Sequence, residues 1–210
     1  MEKNQNRKVG VVDYGLGNIG SIHNMLRQIG VETYTVTNTK ELQDVSKIIL
    51  PGVGHFDTAM KKLNKTGMAD AIKDIFYHGK PILGICLGMQ LMCKASEEGV
   101  MEGLGLLDAN VKKLRINDDS NLIVPHMGWN KVSLTRNGTI LGELNNEIKR
   151  YYFVHSYCVV CNKNEDIIGK TQYGIDFVSA FQHKNIIGVQ FHPEKSHKYG
   201  MNLLDNFIKF

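Results

Sequence analysis

Pro81-Ile-Leu-Gly-Ile-Cys86-Leu-Gly-Met-Gln-Leu-Met-Cys93 joins a strand-like run to a helix-like one through a glycine-flanked cysteine. Its apolar run, Ile82 to Ile85, has the length and composition of a buried strand, and a helix-compatible apolar segment follows at once. The junction reads Gly84-Ile-Cys86-Leu-Gly88, the thiol counterpart of the G-x-S-x-G nucleophile elbow. A sharp strand-to-helix turn pushes one side chain out of the sheet, and flanking glycines let the backbone pass without a clash. Cys86 is then expected at the exposed tip, where the positive end of a helix dipole favours thiolate. The amide N–H of Leu87 would point at the same place and could stabilise an oxyanion. A buried cysteine in an ordinary βα turn satisfies the same five residues.

A thiol nucleophile needs a base, and the base needs a group to orient it. Near the other end of the chain stands Gly188-Val-Gln-Phe-His192-Pro-Glu194-Lys-Ser196. Ile186 to Phe191 is strand-like, and on an extended backbone His192 and Glu194 would face the same side, imidazole beside carboxylate. Pro193 between them fixes φ and prevents helix continuation. In isolation the pair could equally be a capping histidine and a surface glutamate.

Together the two motifs make the chain resemble the class I glutamine amidotransferases, whose Cys-His-Glu triad occupies them. Asp13-Tyr-Gly-Leu-Gly-Asn18, Leu50-Pro-Gly-Val-Gly54, Pro125-His-Met-Gly-Trp-Asn130 and Tyr152-Phe-Val-His-Ser-Tyr157 extend the match. Within the family they are similar to the glutaminase subunits of imidazole glycerol phosphate synthases, from about Val9 to the C-terminus. The resemblance implies an α/β, flavodoxin-like fold: a mostly parallel central sheet flanked by helices, with an added β-rich antiparallel part. It implies Cys86, His192 and Glu194 as catalytic residues that hydrolyse glutamine through a glutamyl thioester. Gly52, Val53 and Leu87 would supply the oxyanion hole. The glutamine α-amino and α-carboxylate groups would meet Gln90, Glu98 and the His155-Ser156-Tyr157 strand.

Ammonia released into water becomes mostly ammonium and loses its nucleophilicity. The chain has no Walker motif and is too short for a second, synthase domain. A separate synthase partner follows from that argument, and the resemblance makes it a (β/α)8-barrel cyclase of histidine biosynthesis. The loop carrying Trp129 would line the partner-facing rim with Tyr152 and Lys195, a core tryptophan being the alternative. No metal or cofactor is implied. A paralogous group, which supplies ammonia for amidination of surface-polysaccharide sugars, shares all these motifs. Gly20-Ser-Ile-His-Asn-Met-Leu and Ser196-His-Lys-Tyr-Gly200 look closer to that group.

The remaining sequence sets bounds. With 210 residues the length suits one domain, read here as 8–210 after a flexible extension over 1–7. The net charge of +4 comes from 25 basic and 21 acidic residues scattered along the chain, which disfavours nucleic acid. No apolar run approaches a membrane span, and the polar start is no signal peptide, so a cytoplasmic protein is expected. Cys158-Val-Val-Cys161 has C-x-x-C spacing but no second pair, and in a strand its two sulfurs face opposite sides. Cys93 is expected inside the helix after the elbow as a small hydrophobe.

Taken in order, Lys8 to Asp13 reads as a strand, Tyr14 to Gly20 as a glycine-rich turn, and the next segment as a helix with Ile22, Met25, Leu26 and Ile29 on one face. Gly15-x-Gly17-x-x-Gly20 satisfies the dinucleotide fingerprint literally, yet the acidic residue expected after the next strand is missing. Thr33–Val36 and Lys47–Leu50 read as strands, and Phe56–Leu63 and Met68–Tyr77 as helices. Leu104 to Gln190 turns to short β-like runs with turns such as Asn137-Gly138, and Asn117–Asn121 reads as an exposed turn. Met201 to Phe210 is a helix packing back on the sheet. His23, His55, His78, His126, His183 and His197 have no partner identifiable from sequence. A non-catalytic scaffold would have no reason to keep the motif set, and a free-standing γ-glutamyl thiol hydrolase would not need the Trp129 loop.

Overall fold

The computed structural model describes residues 8–116, 122–143 and 147–210. The N-terminal extension 1–7 and the turn at 117–121 lie outside the described residues. Four strands form the heart of the sheet: β1 (Val9–Val12), β3 (Lys47–Leu50), β4 (Ile82–Ile85) and β12 (Ile186–Val189). Every residue of all four is buried, as expected of parallel strands covered on both faces. β2 (Thr33–Val36) forms the parallel edge beside β1, giving the order β2-β1-β3-β4-β12.

The helices divide between the two faces. α2 (Phe56–Lys65) and α3 (Met68–Tyr77) bury Phe56, Met60, Leu63, Ile72 and Phe76 in one core layer. α1 (Ile19–Gln28) and α5 (His197–Lys209) bury Ile22, Leu26, Leu203, Leu204 and Phe207 in the other. Each helix shows apolar residues at three- and four-residue spacing, which is why one stripe is buried and the other solvated. α5 begins four residues earlier than its apolar pattern suggests.

Beyond β12 the sheet turns antiparallel through β11 (Ile175–His183), β10 (Ile167–Tyr173), β7 (His126–Leu134) and β8 (Lys149–His155). A side branch of β9 (Tyr157–Cys161), β6 (Ala109–Lys113) and the two-residue β5 (Ala95–Ser96) leaves the main path at β11. The β-rich second half is therefore one continuous extension of the parallel sheet, as the run of short β-like segments suggested. Cys158 packs in one core layer and Cys161 against the other, so the C-x-x-C sulfurs do face opposite sides.

Three local expectations are corrected. The helix after the elbow, α4, is only Leu87–Leu91, so Cys93 lies beyond its C-cap Met92. It is nonetheless fully buried and behaves as a small hydrophobe. Pro125–Asn130 is a strand rather than a loop from His126 onward, because Trp129 and Asn130 pair with Tyr152 and Tyr151 of β8. His155-Ser156-Tyr157 is a junction: β8 ends at His155, Ser156 is a bend, and β9 starts at Tyr157.

Candidate active site

The elbow is built as its glycines require. A Cβ at Gly84 would come within 2.8 Å of the Gly88 carbonyl and of Met89 backbone, so α4 could not approach β4. A Cβ at Gly88 would collide with the carbonyl of Leu50. Cys86 itself takes φ 53° and ψ −110°, a strained conformation for an L-residue that costs on the order of 1–3 kcal/mol. Contrary to the exposed tip expected, Cys86 is 7% exposed, because the β7–β9 extension rises over the elbow. Its sulfur lies on the wall of a cleft of about 300 Å³ lined also by Val53, Gly54, Leu87, Gln90 and Glu98. Val154, His155, Ser156, Tyr157 and His192 complete it with Pro125.

His192 stands three positions past the end of β12 and meets Glu194 through its Nδ1, 2.7 Å from Oε1, both side chains being 2% exposed. Extended alternation does not bring them together: Pro193–Lys195 is a 3-10 turn with Pro193 at its start, and that turn folds Glu194 back under the ring. Proline initiates this turn, a position where its missing N–H costs nothing. Two groups hold the turn in place. Ser196, fully buried, donates to the His192 carbonyl at 2.6 Å and accepts the Tyr152 amide at 3.0 Å. Gly200 on α5 lets the helix touch Pro193, since a Cβ there would collide with the proline carbonyl.

Glu194 occupies Nδ1, which leaves Nε2 facing the elbow without a geometrically complete hydrogen bond. Burial opposes charging the ring, but the Cys86 sulfur beside Nε2 and the Glu194 carboxylate bonded to Nδ1 outweigh it and raise His192 to about 10. A charged imidazole between Cys86 and Glu194 is the form of His192 this geometry favours. Leu87, the first residue of α4, has an amide with no intrahelical acceptor, next to the sulfur. Tyr14 is buried beneath it and donates to the Pro51 carbonyl at 2.8 Å, fixing the Pro51–Gly54 loop. That role accounts for the glycine-rich turn better than a dinucleotide does. A Cβ at Gly20 would meet open space, whereas the third glycine of the fingerprint exists for close helix–strand packing.

Gln90 donates to the Tyr157 carbonyl at 3.1 Å and to Gln190 Oε1 at 2.9 Å. Glu98 accepts the Phe56 amide at 2.8 Å through Oε2, which spends one of its oxygens on the start of α2. Sequence reasoning missed Gln190, whose Nε2 reaches Cys86 Sγ at 3.8 Å. Its only signal was a polar residue at the end of an otherwise apolar strand. It also missed Ser196 and His126, the latter buried and 3.0 Å from His155.

Trp129, Tyr152 and Lys195 come together outside the cleft. Trp129 and Tyr152 are cross-strand partners with rings 6.3 Å apart at 80°, and Lys195 Nζ lies 5.6 Å from the Tyr152 ring centre. Trp129 is 41% exposed and stacks on His197 at 5.6 Å, so it is no core residue.

A mixed sheet that sets a cysteine elbow beside a His-Glu pair is the arrangement expected of the class I glutamine amidotransferases. Residues 10–210 match the family model described as glutamine amidotransferase class-I, and the chain belongs to that family. It is 44% identical over 202 residues to imidazole glycerol phosphate synthase subunit HisH 2 of Methanococcus maripaludis, covering 96% of this chain and 98% of that one. It is 45% identical over 204 residues to subunit HisH of Sulfurimonas denitrificans, with the same coverage. PurLQS from Thermotoga maritima shares the fold, with a TM-score of 0.74 at 20% identity over 96% of this chain and 97% of that one. Among the described residues no helix is long and apolar enough to cross a membrane.

Proposed function

We propose that this chain is the glutaminase subunit of an imidazole glycerol phosphate synthase, a cytoplasmic enzyme that hydrolyses glutamine and hands ammonia to a (β/α)8-barrel cyclase. The observation that carries the chemistry is the meeting of Cys86, the His192–Glu194 pair, Gln90 and Glu98 on one cleft. Identities of 44% and 45% to HisH subunits over nearly the whole chain support the pathway.

The Cys86 thiolate attacks the carboxamide carbon of glutamine. The resulting oxyanion is held by backbone amides of Leu87 and of the Gly52-Val53 segment. His192, charged in the resting site, protonates the leaving nitrogen as the C–N bond breaks, and ammonia departs from a glutamyl thioester. Neutral His192 then takes a proton from water, whose oxygen attacks the thioester; the C–S bond breaks and glutamate leaves. Glu194 keeps Nδ1 protonated throughout, so Nε2 is always the nitrogen that exchanges the proton. Glu98 receives the substrate ammonium, and the Ser156–Tyr157 backbone its carboxylate.

The test is glutamate release by the purified chain, alone and with the histidine-pathway cyclase of the same organism, with and without the cyclase's nucleotide substrate. Strong stimulation with imidazole glycerol phosphate formed establishes the reading. A rate that the cyclase leaves low overturns the pathway and moves the sugar-amidination partner to first place.

A further inference from the structure

Behind the cleft runs a chain of side-chain hydrogen bonds that the hydrolysis mechanism leaves unused. The Tyr157 carbonyl can only accept, so His155 Nδ1, 2.8 Å away, carries a proton. In the neutral ring His155 Nε2 is then a bare acceptor, and His126 Nδ1 at 3.0 Å must donate to it. His126 Nε2 in turn accepts from the Asn130 amide at 3.3 Å, the same amide that donates to the Gln172 carbonyl at 3.0 Å. Each ring nitrogen thus has one role, and adding a proton to either ring would set two N–H groups face to face.

Both rings are held rigidly. His126 and His155 are directly opposed on β7 and β8, are 2% and 6% exposed, and His126 is stacked on Tyr173 with ring centres 3.9 Å apart. The titratable groups facing them are each other, Tyr173 on β10, His192 beyond β12 and Cys86 on the same cleft. Burial lowers His126 to about 4, and burial, with the neighbouring His126 and His192, lowers His155 to about 3. At its far end the chain reaches the chemistry. The Tyr157 carbonyl that His155 holds also receives Gln90, and Gln90 leads through Gln190 to the Cys86 sulfur.

Building on the glutaminase reading, we propose that His126 is a positioning residue of that reaction. It fixes His155 as an Nδ1–H donor to the Tyr157 carbonyl and so holds the Gln90 side of the cleft in its working geometry. Asn130, the residue after the rim's Trp129, orients His126. A second imidazole close to the triad is thereby kept neutral, and His192 alone handles protons.

The experiment compares wild type, His126→Phe and His126→Asn in complex with the cyclase, following glutamate release between about pH 5 and 9. Imidazole nitrogen NMR of the same chains reads the tautomers independently of activity. Phenylalanine keeps the stacking and removes the donor. KM for glutamine should rise about tenfold with kcat changed less than about threefold, and the acid limb of kcat/KM should move to higher pH as His155 Nε2 opens to protons. Asparagine, whose amide nitrogen can stand in for Nδ1, should recover most of the KM and the wild-type pH profile. In wild type both rings should be neutral Nδ1–H tautomers at neutral pH. An active, folded His126→Phe variant with unchanged KM and pH profile overturns the proposal, as does a His155 ring charged or protonated on Nε2 in wild type. If His126→Phe does not fold, Asn130→Ala carries the kinetic test, and an unchanged KM there overturns it. A wild-type complex that releases no glutamate overturns the glutaminase reading itself.

Discussion

Gly88 of the elbow sits so close to Leu50 that the Leu50 carbonyl oxygen occupies the space a Cβ would need. This contact presses the end of β3 against the start of α4, and so sets the spacing between the Gly52-Val53 loop and the Leu87 amide. Gly88→Ala must push backbone from backbone, which no rotamer change relieves. The variant should lose about 2 kcal/mol or more of stability and about 100-fold in glutamine hydrolysis. Urea unfolding monitored beside glutamate release checks both, and a fully active, equally stable alanine variant would contradict the geometry.

Cys86 is held in its strained conformation by the packing of β4 and α4, and its sulfur lies on the cleft beside His192. Cys86→Ala should abolish turnover, by about 1,000-fold or more, while leaving stability within about 1 kcal/mol. Thermal unfolding and glutamate release separate the two effects. Near-normal hydrolysis would remove Cys86 from the mechanism.

His192 is raised to about 10, against its burial, by Cys86 and by Glu194. A histidine raised in the folded state adds stability that is complete below its ordinary value of 6.5 and fades as pH climbs through about 10. Glu194→Gln removes one of the two partners that raise it. The stability gap between this variant and wild type should therefore be widest at and below neutral pH and should shrink in alkali. Activity should fall about 100-fold or more, because the amide permits the wrong tautomer. Denaturation midpoints of both proteins across pH measure the gap, and a gap that widens in alkali would reverse the sign argued here.

His126 and His155 behave in the opposite sense. Their values of about 4 and about 3 lie below 6.5, so between these limits the unfolded chain binds protons that the folded chain refuses. Stability is fully present above 6.5 and is lost as pH falls through about 4 for His126 and about 3 for His155. Replacing both with Phe and Asn should flatten this acid limb in equilibrium unfolding. An unchanged limb would assign acid sensitivity to other groups.

The parallel half of the sheet was legible because its strands are short apolar runs ending in glycine turns, and β1, β3, β4 and β12 fall where those runs stand. The His-Glu pairing was legible as a motif but not as geometry, since the 3-10 turn at Pro193 replaces the extended backbone that the spacing suggested. What stayed hidden is long-range polar contact. Ser196 anchors His192 to β8 across 44 positions, Gln190 approaches Cys86 across 104, and His126 meets His155 only because β7 and β8 pair in that register. A lone serine, glutamine or histidine has no local pattern that distinguishes these roles. The burial of Cys86 was missed for the same reason: the strands that cover it come from the second half of the chain.

Trp129 shows what the exposed side of β7 does. Its ring stacks flat on His197, the first residue of α5, and edges onto Tyr152, which in turn lies under Lys195 one position past Glu194. We propose that this half-exposed ring, beside the turn that carries the His192–Glu194 pair, is where the partner subunit seats. On that proposal the contact is linked to the His192–Glu194 turn through Tyr152, whose backbone exchanges hydrogen bonds with His192 and Ser196. Trp129→Ala should leave the unfolding free energy within about 1 kcal/mol of wild type. It should reduce the stimulation of glutamate release by the cyclase about tenfold or more, the scale of a central aromatic contact. Titration of cyclase into the variant separates lost affinity from lost coupling: a shifted midpoint with full stimulation at saturation means the ring serves binding alone. Reduced stimulation at saturation means it also transmits the partner's state to His192.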